Sequence, residues 1–381
     1  SRGLGDVYKR QWIWIINLYL YCSKYVNGYG INARCGRAFA TRQLGRIRDV
    51  GLDGRVWFDT IRPRTSTKGK KVTINILFSA SSEGWKKYRT PLQRQLSNLG
   101  LPYNLTTNIA PDLVDYIIYA PSSSLQDFSP YTSLKAVLNL WAGVEGVAFN
   151  KTLKVPLARM VDAGLTSGMV EWVTGHTLRH HLGIDKHIHG QDGVWRSYVP
   201  PLAKERVVTI LGLGTLGTAC GTALRSLGFN VRGWSRRKKS IDGISCFYGN
   251  DQIDFSLMDA DIVILLLPDT PLTQNILNHH TLNLTKKGAF VLNPGRGPLI
   301  DDDALITALD SGQLEHATLD VFRIEPLPEN HRYWSHKKVT VVPHKASETR
   351  PKTSSQVIAM NIKRAENGNE LLHLVDKETG Y

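Results

Sequence analysis

The sequence predicts an α/β protein made of two successive units, each a parallel sheet covered by helices. Three observations carry that prediction. Short β-rich runs alternate with helical stretches from Val72 onward, a glycine-rich turn follows an apolar strand and opens a helix, and the last helical run has no strand after it. A chain of 381 residues has room for two domains. Its 42% hydrophobic content and 21% charge, with 33 Gly and 17 Pro scattered without a period, exclude a disordered or collagen-like chain. The four cysteines form no CxxC pair and no disulfide framework, which points to a reducing compartment, the cytoplasm.

In chain order, strands are expected at Val72–Phe78, Val114–Tyr119 and Ala136–Leu140, with an amphipathic helix at Trp85–Leu99. A long helix, Ser167–Leu182, follows. The second series begins with a strand at Arg206–Leu211, a helix at Thr215–Leu227, and strands at Asn230–Ser235, Asp261–Leu266 and Ala289–Asn293. It closes with a helix at Asp302–Leu309 and strands at Thr318–Val321 and Lys338–Val342. The final helical run, Ser347–Asn367, has only the first unit left to pack on.

Residues 1–71 are written differently. They hold 15 Lys and Arg against 4 Asp, a net of +11 out of the chain's +14, so the remaining 310 residues carry only +3. A pI near 9.6 would suit a nucleic-acid binder, but the excess belongs to the leader, and no nucleic-acid partner is expected. The apolar run Trp12–Tyr21 is too short to cross a bilayer and lacks a small-residue cleavage site, so neither membrane nor secretion is expected. The first methionine is Met160, and Ser1–Gln11 resembles a linker-derived stretch. The leader, 1–71, is therefore expected to be unstructured or foreign to the native protein.

Val207–Leu211 runs into Gly212-Leu213-Gly214-Thr215-Leu216-Gly217. In such a turn the first glycine permits the tight bend, the second lets a pyrophosphate approach the backbone, and the third lets helix and strand pack closely, with Leu216 beside the bound dinucleotide. NAD-type sites place an acidic residue at the end of the next strand to hold the ribose 2′-OH. Here Ser235 stands 18 residues past Gly217, followed by Arg236, Arg237 and Lys238. Hydroxyl and cations suit a 2′-phosphate, so NADPH is expected, with NADH as the second option.

Three further segments fall at the ends of later strands, where open α/β sheets bind ligands. They carry Arg296, Glu325 and His344. Arg296 suits a carboxylate, His344 exchanges a proton near neutrality, and Glu325 can orient the imidazole. The three together fit hydride transfer to a 2-keto acid.

On these residues the chain resembles the D-isomer-specific 2-hydroxyacid dehydrogenase family over 72–381. The Gly212–Gly217 turn, Leu267–Thr273, the Arg296 segment, Asp320–Pro328 and Pro343-His344 fall in the family's order. Trp234-Ser235-Arg236, Leu309–Gly312 and Thr349-Arg350-Pro351 look most like its glyoxylate/hydroxypyruvate reductase A group. The resemblance implies two Rossmann-like or flavodoxin-like domains: a discontinuous substrate domain, 72–168 completed by 347–381, and a dinucleotide-binding domain, 169–346. It implies Arg296 for substrate, Glu325 as partner of His344, and His344 as proton donor. Gly143 and Val144 of Trp141-Ala142-Gly143-Val144 would hold the acid through backbone N–H groups, with Trp85 nearby; Pro268 and Asp320 would face the cofactor. A homodimer packed through the Ser167–Leu182 helix is also implied.

The chain departs from the family at Pro294-Gly295 and at Lys345, which sets a like charge beside the proton donor. The histidine run His176, His180, His181, His187 and His189 matches no familiar ligand spacing, so no metal is expected. The alternatives are a D-lactate or other D-2-hydroxyacid dehydrogenase, and a dinucleotide-sensing protein of the corepressor type.

Overall fold

The computed structural model describes residues 73–380 and two short strands of the leader, Ile47–Val50 and Val56–Phe58. Those two strands pair antiparallel, so the expectation of an unstructured leader does not extend to them. The rest of the leader, with the expectation that it is not native, lies outside the described residues.

The first lobe is a parallel sheet of β1 (Ile74–Ser79), β2 (Tyr103–Thr106), β3 (Tyr116–Tyr119), β4 (Ala136–Asn139) and β5 (Leu157–Ala158), in the order β2-β1-β3-β4-β5. Strands β3 and β4 are buried on both faces, which is why they read as unbroken apolar runs. Helix α1 (Ser82–Ser97) is capped by Ser81, whose Oγ accepts the Gly84 N–H at 3.1 Å, and buries Tyr88, Leu92 and Leu96. The last helix packs beside it, with Ile358, Ala359 and Ile362 in the same core as Leu92 and Leu96. Tyr116 Oη donates to Glu366 Oε1 at 2.6 Å, and Val375 N–H donates to the Leu157 carbonyl at 2.8 Å. The C-terminal stretch therefore completes this lobe.

The second lobe is a seven-stranded parallel sheet of β6 (Val207–Leu211), β7 (Asn230–Ser235), β8 (Ser245–Tyr248), β9 (Ile262–Leu265), β10 (Ala289–Asn293), β11 (Leu314–Leu319) and β12 (Val339–Val341). Its order is β8-β7-β6-β9-β10-β11-β12, which reverses between β6 and β9. Such a switch point opens a crevice at the carboxyl ends of the strands. At the opposite end, buried Asp261 accepts from Val207 N at 2.8 Å, Lys286 Nζ at 2.9 Å and Arg206 Nη1 at 3.1 Å, tying the starts of β6, β9 and β10 together.

Helix α2 (Ala163–His181) begins where the chain crosses between lobes, so the expected boundary at 168/169 falls inside it. Asp162 caps it, accepting from Gly164 N at 3.0 Å and from Thr353 Oγ1 of the returning crossing. The crossings touch: a Cβ at Gly164 would lie 2.5 Å from Arg350 Cγ, and one at Gly168 2.6 Å from Ser347 Oγ. Toward its end α2 buries His180, stacked on Phe290 with ring centroids 4.8 Å apart and bonded through Nε2 to Thr318 Oγ1 at 2.9 Å. His316 on β11 lies 5.3 Å from it. The histidine run is thus partly core, and among the described residues no group of three or more His, Cys, Asp or Glu could hold a metal. No helix among them is long and apolar enough to cross a membrane.

Burial, reinforced by neighbouring positive charge, pushes His180 down to about 2 and His316 to about 4, from 6.5. Both are therefore neutral when folded, whereas the unfolded chain takes up these protons near 6.5. Their contribution to stability is full above that value and is lost as pH falls toward 4. Between pH 7 and pH 5, His316→Gln should lose about 2 kcal/mol less unfolding free energy than the parent chain, measured by urea denaturation. Parallel losses in the two proteins would show that His316 already carries a proton in the fold.

Candidate active site

A cleft of about 1310 Å³ runs along the carboxyl edges of both sheets and is lined by the glycine turn, by 141–146 of the first lobe and by Arg296, Asp320, Glu325 and His344. At the turn each glycine has its own steric reason. Gly212 has φ +112°, and a Cβ on it would lie 2.4 Å from the Leu266 carbonyl oxygen; a Cβ on Gly217 would lie 1.8 Å from the Gly212 carbonyl oxygen. Gly214 has nothing within 4 Å, so the space beside it is open. It precedes helix α3 (Thr215–Ser226), whose first N–H groups have no side-chain cap and are available to an anion. This fits a pyrophosphate, with Leu216 and Pro268 lining the same crevice.

Ser235 ends β7, with its Oγ donating to the Arg237 carbonyl at 2.8 Å, and Arg236 and Arg237 line the cleft beside it. The basic run divides after that. Lys238 turns away over the Tyr248 ring at 5.9 Å, while Lys239 reaches back to donate to the Leu213 carbonyl at 2.5 Å, inside the glycine turn. Lys239 is the lysine that sequence reasoning missed, although it is simply the next residue of the same run.

His344 follows β12 in a left-handed conformation, φ +51°, its N–H held by the Asp320 carbonyl at 2.8 Å. Its Nδ1 meets Glu325 Oε2 at 2.7 Å, and Glu325 Oε1 accepts the Phe322 N–H at 2.9 Å. The carboxylate thereby fixes the ring with Nε2 left over. Lys345 does not crowd this pair: its ammonium is bonded to Glu348. Asp320 is buried, and burial lifts its carboxyl above the usual range against the pull of backbone N–H bonds from Ala346 at 2.9 Å and Lys345 at 2.6 Å. Its Oδ1 secures the segment after His344.

Arg296 follows β10 in a turn held by buried Asn293, which accepts from Gly295 N at 3.1 Å and donates to the Arg296 carbonyl at 2.9 Å. The departure at Gly295 has a local cause, since a Cβ there would stand 2.8 Å from the Leu265 carbonyl oxygen. The Arg296 guanidinium lies directly on Gly143, where a Cβ would be 2.2 Å from Nη2. Nε donates to Glu145 Oε1 at 2.9 Å, an ion pair across the cleft. Glu145 was not singled out from the sequence, though it directly follows Val144. Among the described residues, the N–H groups of Ala142, Gly143 and Val144 donate to no protein acceptor. Trp85 is not gathered into the site. It packs 5.3 Å from Phe78 in the first-lobe core, and Tyr88, one helical turn on, lines the cleft instead.

The glycine geometry separates two variants. Gly217→Ala should unfold at a lower temperature, by roughly 2 kcal/mol or more, because the added methyl must displace backbone. Gly214→Ala should melt like the parent yet bind a dinucleotide at least about tenfold more weakly, as its methyl enters the open space. Equal dinucleotide affinity in Gly214→Ala, by calorimetry, would remove the turn from the binding site.

Residues 174–346 match the family model for the D-isomer specific 2-hydroxyacid dehydrogenase NAD binding domain. The chain is 33% identical over 317 residues to the glyoxylate/hydroxypyruvate reductase A of Yersinia enterocolitica, covering 81% of this chain and 100% of that one. It is 39% identical over 256 residues to the enzyme of the same name from Serratia proteamaculans, covering 65% of this chain and 82% of the relative. Among solved structures, a D-isomer specific 2-hydroxyacid dehydrogenase from Xanthobacter autotrophicus Py2, in complex with NADPH and MES, superposes with a TM-score of 0.77 at 35% identity, covering 81% of this chain and all of that one. An NADPH-dependent glyoxylate/hydroxypyruvate reductase from Sinorhizobium meliloti, in complex with NADP and sulfate, gives 0.70 at 30% identity, covering 82% of this chain and 100% of that one. Alike in sequence over the whole length of a curated relative and in fold over the whole of a solved one, this protein belongs to the D-isomer specific 2-hydroxyacid dehydrogenase family.

Proposed function

We propose that the chain reduces glyoxylate to glycolate and hydroxypyruvate to D-glycerate with NADPH. The observation that carries the reading is the convergence, on one cleft, of the Glu325-held imidazole of His344, the Arg296 guanidinium on Gly143 and the open glycine turn. The reductase names of the relatives and the NADPH and NADP of the superposed structures support the choice of substrate and cofactor.

In this reading the substrate carboxylate is received by Arg296 and by N–H groups of the 142–144 loop, Val144 among them, and the keto group lies toward His344. Bound NADPH supplies the hydride to the keto carbon, leaving NADP. His344 Nε2 gives its proton to the keto oxygen, so the alcohol forms without a free alkoxide, and Glu325 stabilises the imidazolium beforehand. Asp320 holds the segment that carries His344, and Pro268 walls the cofactor side. Ser235, Arg236, Arg237 and Lys239 receive the 2′-phosphate. Free Cys220 and Cys246 suit a reducing compartment, in keeping with a cytoplasmic enzyme.

The reading also includes a homodimer. The segment after α2 leaves Ile188, Val194, Trp195, Val199 and Leu202 uncovered, with Trp195 at 96% and Val199 at 85% exposure. Several exposed apolar side chains on one segment call for a partner, and a second copy with the same segment is the self-complementary one.

Protein mixed with NADPH and glyoxylate or hydroxypyruvate should consume the cofactor, followed by its absorbance. Silence with every short 2-keto acid despite dinucleotide binding would instead favour a sensing role, and preference for pyruvate a D-lactate dehydrogenase. Lys239→Ala should raise KM for NADPH roughly tenfold or more while leaving that for NADH within about twofold, since one charge-assisted bond is at stake. Equal effects on both cofactors would assign Lys239 to turn structure alone. The double variant Trp195→Glu, Val199→Glu should run as a monomer in light scattering where the parent runs as a dimer; a monomeric parent would overturn the dimer.

A further inference from the structure

We infer that Asn139, buried at the end of β4, is the positioning residue that turns the backbone N–H groups of the 141–144 loop toward the substrate. Its Nδ2 donates twice, to the Trp141 carbonyl at 2.8 Å and to the Gly143 carbonyl at 2.8 Å. One amide thus draws two alternate carbonyls of the loop toward the lobe interior, and the Trp141 carbonyl is held again by the Met160 N–H at 3.0 Å.

The consequence follows from peptide planarity. In a trans peptide the N–H of one residue points opposite to the carbonyl of the residue before it. With the carbonyls of Trp141 and Gly143 turned onto Asn139, the N–H groups of Ala142 and Val144 must point the other way. Neither finds a protein acceptor among the described residues, and the loop they belong to lines the cleft beneath Arg296. An Asn is suited to this because its amide nitrogen carries two donors in one plane; a Ser at the same place has one.

Asn139 also bears a cost. Its Oδ1 is buried with no hydrogen-bond partner, whereas Asn293, the matching strand-end residue of the other lobe, uses both its oxygen and its nitrogen on the Arg296 turn. A buried unpaired carbonyl is disfavoured. An apolar side chain of equal size would remove that cost but also both loop bonds, so what the amide secures is the loop conformation. The two asparagines hold the two halves of the carboxylate site, one from each lobe.

The inference rests on the proposed keto-acid site, and its test uses a probe that does not require turnover. Oxamate, a small 2-keto-acid mimic, is titrated by calorimetry into the NADPH-loaded full chain, alongside steady-state kinetics. Asn139→Leu should weaken oxamate and raise KM for hydroxypyruvate roughly tenfold or more, with KM for NADPH unchanged within about twofold. Asn139→Ser, which keeps one of the two bonds, should fall between, and it decides the matter if Asn139→Leu does not fold. Oxamate affinity within twofold of the parent in the folded variants overturns the inference. So does a loss of NADPH and oxamate affinity in equal measure, the mark of a general structural role. If the parent binds oxamate in an Asn139-dependent way but reduces no keto acid, the loop assignment stands and the proposed reaction falls.

Discussion

The approach of α3 to the end of β6 is the contact on which the rest of the site depends. No side chain fits at Gly217, where the Gly212 carbonyl would be 1.8 Å from a Cβ, so the helix starts hard against the strand and its first N–H groups face the switch point. A wider approach would move those groups out of the crevice and away from Ser235, Arg236 and Arg237 at the end of β7. Because every strand of both sheets is parallel, all the carboxyl ends lie on one edge, and loops as distant in sequence as 141–146 and 344–351 arrive at the same cleft. The chemistry is spread over strand ends of both sheets; the geometry that gathers it is set by backbone packing.

The parts of the fold that were legible in the sequence are those buried on both faces. β6, β9 and β10 read as apolar runs because no face of them meets water, and their limits were placed to within a residue. β2 and β8 were missed for the opposite reason: each is a half-exposed edge strand of four residues, too short to show an apolar period. β11 was expected at Thr318–Val321 and lies at Leu314–Leu319, because Glu315 and His316 interrupt its run and His316 faces buried His180 rather than a hydrocarbon core. At the site, Arg296, Glu325 and His344 could be named because their residue types are rare combinations after a dinucleotide turn. Trp85 could not be placed, since an aromatic on an amphipathic helix serves a core as readily as a cleft, and here it lies on Phe78. Glu145 and Lys239 directly adjoin residues that the motifs mark, but their partners, Arg296 and the Leu213 carbonyl, are distant in sequence; Asn139 ends an apolar strand and bears no local mark.

Charge shows the same division between total and place. The chain's +14 resides mostly in its first 71 residues, and the remaining +3 is not a uniform field. Lys345 is neutralised by Glu348, and Lys135 by Asp115 and Glu366. Among the cations that line the cleft, Arg236, Arg237 and Lys239 stand at the end of β7 near the glycine turn, and Arg296 lies on the loop whose Ala142, Gly143 and Val144 N–H groups lack protein acceptors among the described residues. Anion binding of this kind combines a guanidinium or ammonium with backbone dipoles, so that no single charge need be large.

If Arg296 receives the substrate carboxylate, as proposed, its pair with Glu145 bears on how the cleft meets that group. Arg296 belongs to the second lobe and Glu145 to the first, so their 2.9 Å bond closes one side of the cleft before substrate arrives. The pair is partly exposed, and an exposed ion pair contributes at most about 1 kcal/mol, so it can yield to a better anion without cost to the fold. A 2-keto acid offers what Glu145 cannot: a carboxylate that reaches the guanidinium and the loop N–H groups together. A substrate with a second carboxylate would meet Glu145 as a like charge at the same spot. In that binding mode Glu145 would favour monoacids by repulsion, which achieves selectivity without any added attractive contact.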